Sequence, residues 1–290
     1  MKVTVDVEGT QVVLSNLDKV LYPATGFTKG QVLDYYTRIA PVLLPHLAGR
    51  ALTRKRYPDG VEGQVFFEKN APRGTPEWVR TATLPSPGSS KGRETIDYTV
   101  VEDLAGLVWT ANLAALELHV HQWKVGAPAA DLLVLDLDPG PPATIVECCE
   151  VALLLEDVLR ADGLAPLAKT SGSKGMQLYA RVDGLTSEQT SAYAKGLAQR
   201  FEASHPDLVV HRMTKSLRPG KVLVDWSQNS SAKTTVCVYS LRARERPTVS
   251  TPITWDEVAA CSSPEDLVFT SDDVLARVQQ HGDLFAPLLS

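Results

Sequence analysis

The segment that most constrains this chain is Leu132–Gly140, where an apolar run leads into two aspartates that are separated by one leucine. The apolar run predicts a buried strand, and the Pro-Gly pair that follows predicts the turn that ends it. Residues i and i+2 of a strand project from the same face, so Asp136 and Asp138 should lie side by side while Leu137 faces the core. Neighbouring carboxylates repel unless a proton or a cation lies between them. The pair therefore predicts a Mg²⁺ or Mn²⁺ site, with two surface aspartates beside a turn as the alternative.

Composition and cysteine usage limit the class of protein. The 290 residues are 44% hydrophobic and 22% charged, as in a globular chain with one large domain or two small ones. No run approaches the roughly eighteen apolar residues of a membrane span, and the N-terminus lacks the apolar core of a signal peptide. None of the four cysteines belongs to a CxxC pair. These features predict a cytoplasmic protein with reduced thiols and no membrane partner.

The charge of the chain is unevenly distributed. The net charge is −5, which by itself argues against a nucleic-acid partner. The segment 211–246, however, holds eight basic residues against two acidic ones, while the segment 255–290 holds seven acidic residues and one arginine. The basic segment therefore predicts contact with a polyanion that the net charge conceals.

Helical and alternating patterns succeed one another along the chain and predict an α/β fold without an internal repeat. Thr28 should cap a helix that runs from Lys29 to about Leu43, where Pro41 and Pro45 end it. Further helices are predicted at 102–118, 143–159, 187–204 and 254–260. Strands, hairpins or strand-turn units are predicted at 3–14, 52–60, 65–70, 96–100, 132–138, 167–179, 221–227 and 235–239.

Three other segments carry groups that suit phosphate or metal binding. The hairpin turn at 170–175 combines glycines, hydroxyls and a lysine, which together form an anion cradle. Asp225 ends the strand predicted at 221–227, and Arg242 and Arg244 alternate so that both guanidinium groups share a face. Metal-assisted phosphoryl transfer needs this set, because carboxylates hold the metal ions while cations and turn amides hold a triphosphate.

Phe66 and Phe67 are adjacent on a predicted strand, next to the basic triplet at 54–56. Neighbouring residues of a strand face opposite sides, so at most one ring should belong to the core. The other ring could stack on an unpaired base, as aromatic side chains beside basic residues do. Burial of both rings between two layers is the alternative.

In this order, the motifs resemble those of the polymerase domain of the bacterial ligase D end-joining system, a branch of the archaeo-eukaryotic primase superfamily. The resemblance covers essentially the whole chain and rests on the segments 52–60, 66–70, 117–119, 134–139, 170–175, 225–229, 233–235 and 239–244. It implies a template-directed nucleotidyltransferase that extends primer 3′-hydroxyl ends in double-strand-break repair by end joining. Gap filling, overhang extension and a preference for ribonucleotides are part of that expectation.

The resemblance also implies roles for individual residues. Catalysis and the binding of two Mn²⁺ or Mg²⁺ ions would fall to Asp136, Asp138 and Asp225. Binding of the incoming NTP or dNTP would fall to Lys55, Arg56, His119, Ser171, Lys174, Lys233, Arg242 and Arg244. DNA would contact Lys19 and Lys29 through a 5′-phosphate, Phe66 or Phe67 through the templating base, and Arg218 near the metal site. The loop at 85–93 would help to bring two DNA ends together.

The architecture implied by the resemblance is a single polymerase domain over residues 1–290. Its primase-polymerase core would contain a mixed or antiparallel sheet flanked by helices, with an N-terminal α/β subdomain packed against it. The approximate parts are 1–101, 102–246 and an acidic segment at 247–290. The implied partners are DNA ends, gapped or with 3′ overhangs and a 5′-phosphate, together with Ku and a DNA ligase activity in cis or in trans, at the nucleoid of a bacterial cytoplasm. The chain could be a stand-alone protein or one domain of a larger ligase.

Two functions of other classes compete with this reading. A phosphatase of the haloacid dehalogenase type also uses Asp-x-Asp after an apolar strand, but it needs Thr or Val where this chain has Gly140, and its motif lies near the start. A non-catalytic DNA-end-binding module would explain the basic segments. It would leave three strand-end aspartates that repel DNA unless metal ions cover them.

Overall fold

A computed structural model describes residues 2–86, 94–127 and 129–289, which form two six-stranded sheets, two small hairpins and six α-helices. The strands are β1 (Lys2–Val7), β2 (Thr10–Ser15), β3 (Val20–Tyr22), β4 (Phe27–Thr28), β5 (Ala51–Arg56), β6 (Phe66–Glu68), β7 (Thr81–Pro85), β8 (Thr95–Val100), β9 (Ala115–Val120), β10 (Ala130–Pro139), β11 (Leu167–Thr170), β12 (Met176–Leu185), β13 (Val209–Val210), β14 (Val222–Asp225), β15 (Thr235–Val236) and β16 (Pro252–Ile253). The helices are α1 (Lys29–Leu47), α2 (Leu104–Asn112), α3 (Ile145–Ala161), α4 (Ser187–Ser204), α5 (Trp255–Ala260) and α6 (Ser271–His281).

The first sheet has β10 near its centre, in the order β13-β14-β10-β12-β11-β16. It is mixed, because β13 pairs with β14 in parallel and the other neighbours are antiparallel. Leu133, Leu135 and Leu137 of β10 pack into a core with α3 and α4. The alternation predicted for the apolar run is therefore confirmed, with Leu137 facing this core.

The second sheet has the order β15-β9-β5-β8-β7, with β6 paired to β5. It combines strands from both sides of residue 101, since β5 to β8 precede that residue while β9 and β15 follow it. Leu132 and Val134 of β10 belong to the same core as Leu116 and Leu118 of β9. The first sheet is thus covered by helices on one face and directs its other face, which carries Asp136, toward the second sheet.

The first long helix extends beyond its predicted end. Thr28 caps it through a reciprocal pair of bonds with Gln31, as the sequence predicts, but α1 continues through Pro41 and Pro45 to Leu47. Each proline removes one backbone hydrogen bond from the helix. Ile39, Leu43 and Leu47 are all buried in the core. Burial of this apolar face outweighs the lost hydrogen bonds, so the predicted end at Leu43 was wrong.

The helix predicted at 102–118 is a helix followed by a strand. Asp103 caps α2, which ends at Asn112, and Ala114 adopts a left-handed φ of 57° before β9 begins. The apolar residues of β9 suit either element, and pairing with β5 decides between them. Glu117 and His119 consequently lie on one face of a strand.

Most of the other predicted helices and strands occur in the structure, and one predicted loop falls largely on residues that the structure does not describe. The hairpins β1–β2 and β11–β12, the helices α3, α4 and α5 and the strands β10 and β14 all occur where the sequence predicts them. Residues 87–93 of the loop expected to join two DNA ends lie outside the described residues. Within the described ranges, no helix is both long enough and apolar enough to cross a membrane.

Three tyrosine hydroxyls on β3 and α1 form hydrogen bonds with backbone groups of residues 239–242. Tyr36 donates to the carbonyl oxygen of Leu116 at 2.6 Å and accepts from the backbone N–H of Leu241 at 3.1 Å. Tyr35 donates to the carbonyl oxygen of Tyr239, and Tyr22 to that of Arg242. These bonds are buried or partly buried, so each missing hydroxyl leaves a backbone group without its partner.

The Tyr36→Phe variant tests the strength of this connection. We expect the free energy of unfolding to fall by about 1–3 kcal/mol, because a buried carbonyl and a buried N–H lose one partner together. Urea denaturation measures the change. The control is Tyr193→Phe, whose hydroxyl bonds Asp162 at the surface and should contribute less than about 0.5 kcal/mol. Equal losses in the two variants would contradict the assigned role of Tyr36.

Candidate active site between the two sheets

Three aspartates lie on one face of the first sheet. Asp136 of β10 pairs directly with Asp225, the last residue of β14, and Asp138 follows Asp136 by two residues. Directly paired residues of neighbouring strands share a face, and so do residues i and i+2. Pairing of β10 with β14 therefore brings the two aspartates of one motif and the aspartate of another together on one face of the sheet.

The carboxylates influence one another electrostatically. Burial raises the pKa of Asp136 to about 7, and the charges of Asp138 and Asp225 contribute to that rise. Burial and Asp225 also raise the pKa of Asp138, while the guanidinium of Arg218 opposes the increase. Asp136 and Asp138 are therefore harder to ionise than isolated carboxyl groups, and together with Asp225 they form an oxygen donor set that a hard divalent cation stabilises.

Asp225 is held by its own turn. Its Oδ1 accepts from the backbone N–H and the hydroxyl of Ser227, and its Oδ2 accepts from the amide of Gln228 at 2.9 Å. Since each carboxylate oxygen has two lone pairs, Oδ2 retains one for a cation. Across the described residues, no three His, Cys, Asp or Glu side chains are already gathered as a metal-binding group. The aspartates fit a cation chemically, but the three would have to converge on it.

The turn at 171–175 lies beside the carboxylates. The hydroxyl of Ser171 accepts from the backbone N–H groups of Ser173 and Gly175 at 3.2 and 3.3 Å. Two of the amides that the sequence predicted to be free for an anion are therefore bonded within the turn. The turn contacts the end of β10 closely, since a Cβ atom on Gly175 would lie 2.0 Å from the carbonyl oxygen of Leu137.

Two arginines hold the turn from the other side. Arg242 donates through Nη1 to the carbonyl oxygen of Ser171, and Arg244 donates through Nη2 to the hydroxyl of Ser173. The segment that carries them is not a regular strand. Both guanidinium groups nevertheless line the same cleft, as the alternating pattern predicted.

Glu117 binds the cationic side chains together. Its Oε2 lies 3.0 Å from Nζ of Lys55 and 2.9 Å from Nε2 of His119, and its Oε1 lies 3.3 Å from Nε of Arg242 and 3.1 Å from the backbone N of Ala243. We call Glu117, Lys55, His119 and Arg242 the Glu117 cluster. Glu117 is 1% exposed, and these partners hold its pKa far below the usual value despite burial.

His119 presents one ring edge to Glu117. Because the carboxylate can only accept, Nε2 of His119 donates to it. Burial lowers the pKa of the imidazole, and Glu117 opposes that decrease. The ring thus has a fixed orientation beside the cleft, rather than the helix-end position that the predicted helix would have given it.

The cleft between the two sheets has a volume of about 390 Å³. Its lining combines two aspartates of β10 with the cationic side chains of Lys174, Arg242 and Arg244, which suits a ligand that joins a metal-bound phosphate to a longer phosphate chain. Seven of the side chains predicted for catalysis or nucleotide binding line it, namely His119, Asp136, Asp138, Ser171, Lys174, Arg242 and Arg244. Gln177 and Gln228 also line it, although the sequence assigned them no role.

Three of the predicted nucleotide-binding cations lie outside the lining, and so does the predicted metal ligand Asp225. The ammonium of Lys233 bonds the hydroxyl of Ser227, behind the turn that holds Asp225. Arg56 bonds Glu68 at 2.7 Å and the carbonyl oxygen of Leu113 at 2.7 Å. Lys55 reaches the cleft only through Glu117.

Both phenylalanines of β6 are exposed. Phe66 is 38% and Phe67 is 57% exposed, which agrees with the prediction that at most one ring belongs to the core, whereas the alternative that both rings are buried was wrong. β6 has a single partner strand, β5, and pairs Phe67 with Lys55. The ring of Phe67 lies edge-on to His119 with centroids 6.4 Å apart. An exposed aromatic surface therefore adjoins the cleft.

Lys19 and Lys29 form a separate basic site at the start of α1. The backbone N of Lys29 donates to the carbonyl oxygen of Lys19 at 2.8 Å. Lys19 pairs with Asp59 at the surface, whereas the ammonium of Lys29 is buried on the carbonyl oxygen of Ser15 at 2.6 Å. Burial, with the charges of Arg56 and Lys19, lowers the pKa of Lys29 to about 8. The first three backbone N–H groups of α1 donate to Lys19, Leu17 and Thr28, so any anion here would be held by the two ammonium groups rather than by free amides.

Arg218 lies beside the end of β10. Its Nη2 donates to the carbonyl oxygen of Met213 at 2.6 Å, and its charge acts on Asp138. A Cβ atom on Gly140 would lie 2.1 Å from the carbonyl oxygen of Arg218. Glycine at 140 is therefore required for this segment to pack against the end of the strand.

Sequence analysis missed three buried polar residues of the site. Glu117 belongs to the motif at 117–119, which the sequence pattern predicts as the end of a helix, and the motif gives it no role. Lys169 and Gln177 alternate with apolar residues on β11 and β12, and Lys169 bonds Gln177, which bonds Asp136. A polar residue among apolar neighbours on the face that carries Asp136 was the available signal.

The Gly175→Ala variant tests how closely the turn must approach β10. We expect a loss of about 1–3 kcal/mol in the free energy of unfolding, because the added methyl group displaces backbone rather than a flexible side chain. Urea denaturation measures it. Gly196→Ala is the matched control, since Gly196 lies within α4 with open space around it and should stabilise the protein by about 0.5–1 kcal/mol. A neutral Gly175→Ala would contradict the close contact.

The Glu117→Gln variant tests the Glu117 cluster through pH. At pH 7 we expect a loss of about 2–4 kcal/mol, because the buried cations lose their counter-charge. The folded-state pKa of Glu117 lies well below 4.5, the ordinary value for a glutamate, so its contribution to stability is full above that pH and declines as the pH falls further. The difference between wild type and variant should therefore shrink from pH 7 to pH 3.5 in urea denaturation. The exposed Glu150→Gln is the control, and a difference that does not depend on pH would count against an ionised Glu117.

Comparison with known proteins places the chain. A family model described as the primase-polymerase domain of LigD matches residues 28–285. The chain is 44% identical over 279 residues to the multifunctional non-homologous end joining protein LigD of Mycolicibacterium smegmatis, and 45% identical over 288 residues to the corresponding protein of Mycobacterium tuberculosis. These matches cover 95% and 96% of this chain but 36% and 37% of the relatives.

A solved structure resembles the whole fold. The polymerase domain of Mycobacterium tuberculosis ligase D, solved in complex with DNA, superposes with a TM-score of 0.89 at 44% identity. The match covers 96% of this chain and 98% of that domain. The resemblance read from the motifs is confirmed, and so is the mixed α/β fold class. This chain belongs to the LigD primase-polymerase domain family.

Proposed function

We propose that this chain is a template-directed nucleotidyltransferase that adds nucleotides to primer 3′-hydroxyl ends in double-strand-break repair by end joining. The observation that carries the proposal is the cleft, whose lining combines Asp136 and Asp138 with the cationic side chains of Lys174, Arg242 and Arg244. Family membership and the DNA-bound relative support the same activity. A phosphatase of the haloacid dehalogenase type has no support from either.

Asp136, Asp138 and Asp225 would hold Mg²⁺ or Mn²⁺, two ions per site. When bound, such ions polarise phosphoryl oxygens and offset the charge that develops during transfer. The raised pKa of Asp136 supports this assignment, because three carboxylates in one place favour a cation between them. Asp225 would contribute through the lone pair of Oδ2 that its turn leaves available.

The incoming nucleotide would lie along the cleft with its triphosphate toward the turn. Lys174, Arg242 and Arg244 supply positive charge there, and the hydroxyls of Ser171 and Ser173 supply neutral contacts. His119 would contact the nucleotide from the wall opposite β10. Lys55, Arg56 and Lys233 would act around this set rather than within it, because none of the three lines the cleft.

DNA would bind across β6 and the start of α1. An exposed Phe67 beside His119 is placed to stack on a templating base that pairs with the nucleotide in the cleft, with Phe66 next to it. Lys19 and Lys29 would receive a 5′-phosphate at the helix N-terminus. Arg218 would act near Asp138. Ku and a DNA ligase activity, in cis or in trans, and a site of action at the nucleoid of the cytoplasm belong to the same proposal.

Primer extension tests the activity. The variant that combines Asp136→Ala with Asp138→Ala should extend a primer at least about 100-fold more slowly in Mn²⁺ or Mg²⁺, because the oxygen donors for the ions are gone. Asp157→Ala, an exposed aspartate of α3, is the control and should retain activity. Extension that survives the double substitution would overturn the polymerase assignment.

The substrate set is tested on a primer facing a short gap, with and without a downstream 5′-phosphate and with NTPs or dNTPs. We expect faster extension with the phosphate and with NTPs. Equal rates in all four reactions would contradict the proposed substrates while leaving the metal site in place.

A further inference from the structure

One row of polar side chains runs straight across four neighbouring strands of the first sheet. Lys169 of β11 pairs with Gln177 of β12, Gln177 pairs with Asp136 of β10, and Asp136 pairs with Asp225 of β14. Directly paired residues project from one face, so the four side chains form a continuous row. The first two members of the row, Lys169 and Gln177, are not used in the function proposed above.

Each hydrogen bond of Lys169 has one possible direction. Lys169 is 1% exposed. Its ammonium contacts three acceptors, which are Oε1 of Gln177, Oγ of Ser250 at 2.6 Å and the carbonyl oxygen of Val236 at 3.2 Å. Ser250 already donates its single proton to the carbonyl oxygen of Thr170 at 2.9 Å, so it accepts from Lys169. Three acceptors use the three protons of the ammonium.

This arrangement fixes the orientation of the Gln177 amide. While Lys169 is charged, its ammonium cannot accept, so Oε1 of Gln177 faces Lys169 and Nε2 faces the other way. Nε2 donates to Oδ1 of Asp136 at 3.0 Å. Within the described residues, Oδ2 of Asp136 receives no hydrogen bond, so that oxygen stays available. Gln177 therefore holds one oxygen of the aspartate and leaves the other for a ligand.

We propose that Gln177 is a positioning residue for Asp136, that Lys169 acts through Gln177, and that together they prepare the metal-binding carboxylate before an ion arrives. The proposal rests on the function proposed above, in which Asp136 binds a divalent cation. Groups that hydrogen-bond a metal ligand commonly alter metal affinity by about 10- to 100-fold when they are removed. Lys169 also bonds Val236, which pairs with His119, and so joins the metal end of the cleft to the nucleotide end.

Mn²⁺ binding to the purified chain, without DNA or nucleotide, tests the proposal. Free Mn²⁺ is followed by electron paramagnetic resonance, and the thermal unfolding midpoint is measured with and without Mn²⁺. Gln177→Met keeps the length of the side chain but removes its donor, and we expect Kd for Mn²⁺ to rise about 10-fold. Gln199→Leu, an exposed glutamine of α4, is the control and should leave Kd unchanged.

A double-mutant cycle separates action through Gln177 from a general structural effect. Lys169→Met alone should weaken Mn²⁺ binding, because the amide of Gln177 is then free to turn. In the Gln177→Met background the same change should alter Kd less than about twofold, since its route to Asp136 is already broken. Independent, multiplying effects would overturn the role of Lys169.

A measurement on the wild-type protein keeps the test independent of variant folding. The side-chain amide resonance of Gln177 should shift in a nitrogen–proton correlation spectrum when Mg²⁺ is added. An unchanged resonance, or an unchanged Kd in Gln177→Met, would overturn the proposal. If Asp136→Asn binds Mn²⁺ as wild type does, the metal site itself fails; if Asp136→Asn loses binding while Gln177→Met keeps it, only the positioning role fails.

Discussion

The ionised carboxylate of Glu117 is the interaction on which the site depends. Three cationic or potentially cationic side chains converge on it from two strands and one irregular segment. Without a buried anion, these side chains would repel one another and turn outward to water. Glu117 also accepts from the backbone N–H of Ala243, so it fixes the path of a segment that has no ladder of strand hydrogen bonds. One carboxylate thereby orders the part of the cleft that His119 and Arg242 line.

The three aspartates and the Glu117 cluster are opposite electrostatic arrangements. At the aspartates, like charges are brought together by strand pairing, and burial raises the pKa of Asp136 rather than providing a partner. At the Glu117 cluster, opposite charges are paired and the carboxylate is strongly ionised. The charges of the aspartates are thus unbalanced without a cation, whereas the charges of the Glu117 cluster are already paired. A ligand with a metal-binding phosphate followed by further phosphates complements both arrangements at once.

Local patterns predicted the strand that carries Asp136 and Asp138, the turn beside it and one of the helices that cover the sheet, because their signals are short-range. The apolar run before Asp136, the Gly-Ser turn at 171–175 and the capped helix α4 each follow from neighbouring residues alone. Non-local pairing decided the rest. The chain at 113–120 becomes a strand because β5 lies beside it, and α1 passes its prolines because its apolar face is buried. The bond from Lys169 to Gln177 joins two strands, and the contacts of Glu117 join three segments, so neither was readable from spacing.

The tyrosine hydroxyls described in the fold have a consequence for local opening. Tyr35 and Tyr36 lie on α1, the helix that begins at Lys29, and their partners lie in 239–241, next to Arg242. Opening of α1 must therefore release this segment, and with it the guanidinium that holds the turn at Ser171. Hydrogen exchange at α1 and at 239–242 would then occur as one cooperative event. Lys29 at the start of the helix and the turn at 171–175, far apart in sequence, would then belong to the same unit of local stability.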